Sequence, residues 1–212
     1  ADGPDSSVSA RHEALADTHI RRMQVKSRAW RSGCRLRTLQ SEEKDLRSLG
    51  AARGARLLFD MLVINEFEHA LLALKRDDCV WGPLHTSVGQ EASATAAILP
   101  LRKTDKVVGT HRSHHHFLAK ALSYVLPESW NPVRNGFPSE GQDAVQRTMA
   151  EIMGLAPGYC GGRGGSMHLR WAEAGFLGSN AIVAGGIPLS TGAAFAEKRR
   201  GTGNVVVCFF GD

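Results

Sequence analysis

The sequence predicts an α/β fold. Apolar residues recur at helical spacing across 57–76, while Lys106–Gly109 and Asn204–Phe210 are short continuous apolar runs of the kind found in buried parallel strands. Helix, strand and helix patterns then alternate along the chain, as they do when helices cover a mainly parallel sheet.

The elements follow in order. Ser41-Glu42-Glu43 opens a helical stretch with acids in its first turn, where they favour the helix dipole. Leu57, Met61, Ile64 and Leu71 carry the helical period to about Arg76, with Gly50 and Gly54 predicting a break near the start. Trp81-Gly82-Pro83 is a turn. Ser87-Val-Gly-Gln90 matches a capping box ahead of a helix from Glu91 to about Leu99. The strand at Lys106 ends at Thr110-His-Arg, and Ser139-Glu-Gly-Gln142 is a second capping-box match before a helix to about Met153. Residues 154–186 hold ten of the 23 glycines and show no clear element, which predicts a long functional loop. Helix returns over Ile187–Arg200, with Pro188 in a tolerated place near its first turn. Val205–Phe210 reads as a buried strand. Such a strand is normally followed by a covering helix, and the chain opens on Ala1, so the sequence is expected to be a fragment.

Composition bounds the function. The 212 residues are 42% hydrophobic and 22% charged, ordinary for a globular chain and unlike collagen, a disulfide scaffold or a wholly disordered protein. The apolar runs fall short of the roughly 18 residues needed to span a bilayer, and no secretory signal opens the chain. A soluble, cytoplasmic protein is expected, with no membrane partner. Four widely spaced cysteines (34, 79, 160 and 208) read as free thiols. Most of the net charge of +5 sits in residues 1–40, read as a basic flexible tail ahead of a domain spanning 41–212. That segment has one aromatic residue, Trp30, and no nucleic-acid motif, so nucleic acid is not the expected partner.

Several familiar sites are excluded. Gly161-Gly-Arg-Gly-Gly-Ser166 is not G-x-G-x-x-G, no Gly-Lys-Ser/Thr closes a phosphate loop, and no G-x-S-x-G presents a nucleophile. Three features remain. Thr110-His-Arg-Ser-His-His-His116 places four histidines and Arg112 at a strand end, suited to binding an anion, relaying protons or holding a metal; a polar helix start with capping histidines is the plain alternative. Gly161–His168 offers backbone N–H groups that can cradle an anion; the plain alternative is a flexible surface loop. Gly211-Asp212 puts a carboxylate after a strand, where it can hold a hard cation such as Mg²⁺.

In register, His85-Thr-Ser-Val-Gly-Gln-Glu-Ala92, Thr110–His114, Gly162–Leu169, Asn180–Leu189 and Gly211-Asp212 resemble one family. It is the alpha-type, thiamine-diphosphate-binding half of 2-oxo acid dehydrogenase E1 components, which include pyruvate, branched-chain and acetoin dehydrogenases. The resemblance runs from about Glu42 to Asp212. It implies the thiamine-diphosphate-binding fold, incomplete at its carboxyl end, with thiamine diphosphate and Mg²⁺ as cofactors. His85 and His114 then fall at the active centre, Arg112 on the diphosphate, and His111 where the family usually has tyrosine. Backbone groups of Ala181 and Val183 face the aminopyrimidine ring, and Gly211 with Asp212 begin the metal motif. The family also implies a beta-type half carrying the glutamate for the cofactor ring, a lipoyl-bearing acyltransferase, and an oligomer. Glu91 is read as structural. Gly185-Gly-Ile-Pro188 leans toward acetoin- and pyruvate-type members. The fragment alone is expected to be inactive. A non-catalytic binding or assembly module that keeps the fold is the competing reading, motivated by His111 and by the missing half.

Overall fold

The computed structural model describes residues 40–211. Asp212 and all of the basic amino-terminal segment except Gln40 lie outside these residues. Among them are six helices and three strands: α1 (Glu43–Leu49), α2 (Ala51–Arg76), α3 (Glu91–Ile98), β1 (Lys106–Thr110), α4 (His114–Val125), α5 (Ser139–Ile152), β2 (Phe176–Asn180), α6 (Gly186–Arg200) and β3 (Val206–Cys208). The strands form one parallel sheet in the order β2-β1-β3. None of the helices is long and apolar enough to cross a membrane.

Helix α1 starts where acids favour it, with the Glu42 N–H donating to Asp45 Oδ2 at 2.8 Å. Gly50, at φ +80°, breaks the chain into α1 and α2. Gly54, the other glycine behind that expectation, lies inside the 26 residues of α2. Ile64, Phe67 and Leu71 pack into the core from α2, and the same stripe buries Asp60 and Glu68, two carboxylates that apolar periodicity could not reveal.

Both capping-box expectations fail, although the helices they announced exist. At α3 the Ser87 carbonyl accepts the Gln90 N–H in a turn, and the buried Ser87 hydroxyl has no partner among the described residues. Glu91 caps instead, its Oε1 accepting the Gly89 N–H at 3.0 Å and Asn65 Nδ2 at 2.8 Å. At α5, Ser139 is already helical and Pro138 precedes it in an extended conformation, its carbonyl accepting the N–H groups of Gly141 and Gln142. Pro138 has the preset φ of a helix start, so the helix begins one residue earlier than the motif implied.

The centre of the core is α4, buried on all sides from His114 to Leu122. Lys120 within it is fully buried, donating to the carbonyls of Arg102 and Lys103 at 3.1 and 3.0 Å. Burial draws its ammonium down to about 8.

Residues 154–186 are not structureless. Strand β2 pairs with β1 along Val107↔Phe176 to Thr110↔Asn180. Glycine at 175 and 178 masked it. Gly175 has φ +84°, and a Cβ there would stand 2.4 Å from the Asp105 carbonyl oxygen, so glycine is what lets β2 enter the sheet. The last strand also departs from expectation. β3 is three residues long and half-buried, with Val205 and Phe210 exposed. It is an edge strand, packed on one side by α6 and paired only with β1 among the described residues.

Candidate functional site

All three parallel strands end on the same hollow, of about 470 Å³. Thr110, His111 and Arg112 reach it from β1, Asn180, Ile182 and Val183 from β2, and Phe209, Phe210 and Gly211 from β3. Ligands of open parallel sheets bind at such carboxyl ends. The volume is in the range of small-molecule pockets.

Arg112 is half-buried and its Nη1 donates to the Thr86 carbonyl, which ties the guanidinium to the segment ahead of α3. Among the described residues it forms no ion pair. Its ring neighbour His111 meets His85 edge-on, with centroids 4.8 Å apart. His85 is not itself among the residues that line the hollow. Burial holds its pKa below the usual histidine value, helped by the charges of His111, Arg112 and His114.

The three following histidines are not caps: Ser113 occupies the N-cap position of α4, and His114, His115 and His116 are all buried. The His115 and His116 rings lie 3.7 Å apart, and His116 stacks on Phe209 at 3.7 Å. Burial pushes His115 down to about 4 and His116 to about 2, so both are neutral at pH 7. His115 lines the hollow and its buried Nδ1 has no partner among the described residues. His114 is elsewhere. Fully buried, it lies between Glu68 and Ser166 and does not line the hollow.

The glycine-rich bend does cradle an anion, but the anion is internal. The buried Glu151 carboxylate accepts backbone N–H bonds from Cys160 (2.6 Å), Gly162 (2.9 Å), Gly164 (2.6 Å) and Gly165 (3.3 Å). This overturns both readings of the segment, the open anion site and the flexible loop. A signal existed: Glu151 is an acid in the last turn of α5, where the helix dipole disfavours it, directly ahead of a glycine run.

Of the other expected site residues, Val183 and Gly211 line the hollow, Ala181 is exposed and outside the lining, and Asp212 lies beyond the described residues. Among the described residues the lining contains one arginine and no carboxylate, together with an unpartnered imidazole nitrogen. It fits an anion. No group of three metal-binding side chains occurs among the described residues, so a cation here would depend on Asp212, the next residue after Gly211.

Residues 137–212 match the family described as Dehydrogenase E1 component. Among curated proteins, the alpha subunit of acetoin:2,6-dichlorophenolindophenol oxidoreductase from Bacillus subtilis is 38% identical over 152 residues, covering 72% of this chain and 39% of that protein. Over these segments the chain is similar to alpha-type members of the dehydrogenase E1 component family. Chloroplastic pyruvate dehydrogenase E1 component subunit alpha-3 of Arabidopsis thaliana is 34% identical, covering 75% of this chain and 34% of its own. Pyruvate dehydrogenase E1 component subunit alpha of Porphyra purpurea is 38% identical, covering 72% and 40%. This chain thus spans about two fifths or less of the length of these E1 alpha relatives.

Proposed function

We propose that the hollow is the diphosphate-binding part of a thiamine-diphosphate site, in an E1 component that decarboxylates a pyruvate-like 2-oxo acid or cleaves acetoin and passes the acyl group to a lipoyl carrier. One observation supports this reading best: three parallel strands end around a cavity whose described lining carries a single guanidinium and no acid.

When bound, thiamine diphosphate supplies a thiazolium that adds to the substrate's keto carbon and accepts the electrons released with CO₂. Arg112 would grip the diphosphate, offering several donors from one planar group. His111 would add a further ring N–H donor where the family usually has tyrosine. His115, neutral and partnerless at Nδ1, suits a hydrogen bond to the bound group. Backbone groups at Ala181 and Val183 would align the ring, and Gly211 and Asp212 would hold Mg²⁺. Stacked His116 and Phe209 close one wall against water. His85 would act at the rim, and His114 from behind it. A beta-type half, a lipoyl-bearing acyltransferase, an oligomeric state and a cytoplasmic setting complete the proposal.

Calorimetry with thiamine diphosphate and Mg²⁺, comparing wild type with Arg112→Ala, tests it. Arg112→Ala should weaken binding at least about tenfold, the lower range for a charge-assisted contact. Equal affinity in the two removes Arg112 from the site. Absence of binding by the wild type paired with its beta-type half would favour the assembly-module reading.

A further inference from the structure

A buried polar chain links α2 to the glycine-rich bend without lining the hollow. Glu68 and His114 have no exposed surface. The Glu68 carboxylate oxygens lie 3.0 and 3.2 Å from His114 Nδ1. Across the ring, Nε2 is 2.9 Å from Ser166 Oγ and 3.2 Å from the Ser166 carbonyl oxygen. Ser166 Oγ accepts the backbone N–H of His85 at 3.2 Å. The His85 ring then meets His111, which lines the hollow.

Carboxylate, imidazole and hydroxyl in this order resemble a nucleophile triad. The Ser166 hydroxyl, however, is buried, stands outside the hollow and holds a backbone N–H, so no substrate reaches it. Nor is packing a sufficient reason for the array, since apolar residues of similar volume would fill the same space without desolvating a charge. What a carboxylate supplies is direction. Its charge-assisted bond to Nδ1–H fixes the tautomer and plane of the ring, and the ring orients the hydroxyl beyond it.

We infer that Glu68 is a positioning residue, which through His114 and Ser166 holds the His85 backbone and so the His85–His111 ring pair at the rim of the hollow. Its place in catalysis rests on the reading of that hollow as a diphosphate site; the linkage itself does not.

Amide exchange and histidine titration by NMR on the ligand-free full chain test the linkage. In Ser166→Ala and in Glu68→Gln the His85 amide should exchange at least about tenfold faster, and its ring pKa should rise toward about 6.5, the ordinary value. Leu118, in the middle of α4, should keep its wild-type protection. Ser166→Ala leaves the Glu68–His114 pair intact and carries the test alone if Glu68→Gln does not fold. Unchanged His85 exchange in Ser166→Ala overturns the inference, as does acceleration shared equally with Leu118. Calorimetry with thiamine diphosphate and Mg²⁺ on the same samples separates the two ideas. A wild type that ignores the ligand while His85 still answers to Ser166→Ala supports the positioning role and removes the cofactor reading.

Discussion

Glu151 Oε1 lies 2.6 Å from the backbone nitrogen of Gly164, thirteen residues further along the chain. With the bonds to Cys160, Gly162 and Gly165, this contact makes a helix-end carboxylate the organiser of the bend. The bend carries Ser166, and Ser166 meets both His85 and His114. A change at Glu151 therefore reaches the rim of the hollow without touching it.

Glu151→Ala should destabilise the chain by about 3 kcal/mol, because four partly buried backbone N–H groups lose the buried carboxylate that accepts them. Urea denaturation measures this. Limited proteolysis should first cut within 158–166, and cleavage no faster than in wild type would contradict the organising role.

The glycines of the bend should differ sharply from one another. At Gly162 a Cβ would stand 2.4 Å from the Gly154 carbonyl carbon, and at Gly164 it would stand 2.2 Å from the His168 carbonyl oxygen. Gly162→Ala and Gly164→Ala should each cost more than about 3 kcal/mol, since backbone must move. Gly161 also has positive φ, +67°, but open space around it, so Gly161→Ala should cost only about 1 kcal/mol. Equal losses at 161 and 162 would show that conformation, not contact, sets the scale.

Stability should fall as pH drops from about 6.5 to about 4. His115 and His116 are held neutral in the fold, with pKa values pushed down to about 4 and about 2, while the unfolded chain protonates near 6.5. Below 6.5 the unfolded state binds more protons, so ΔG of unfolding decreases with falling pH; above 6.5 both states are neutral and the contribution is complete. Glu91 opposes part of the effect by favouring charge on His115. His116→Phe keeps a ring against Phe209 and removes one titrating group. Denaturation midpoints across this range should fall less steeply in His116→Phe than in wild type.

Arg112→Lys should not restore what Arg112→Ala removes. Lysine keeps the charge but not the fork of parallel donors, nor a reach fixed by the Thr86 carbonyl. Calorimetric affinity for thiamine diphosphate should stay at least about fivefold below wild type, less than the loss of a full charged contact. Full recovery would mean that only charge matters at this position.

The order of elements could be read along the chain because their signals are local. The 3.6-residue period from Leu57 to Leu71, the proline near the start of α6 and the apolar runs at β1 and β3 depend only on neighbours in sequence. So could the motifs that marked Arg112, His111 and Gly211, three residues that share the hollow. Tertiary structure alone decided the rest, because those decisions belong to partners far apart in the chain. Glu151 filling the glycine bend, Glu68 reaching His114 across 46 residues, and β2 entering the sheet through glycines are such cases. A buried carboxylate is tolerable only when its donors arrive, and nothing in the residue itself announces where they will come from.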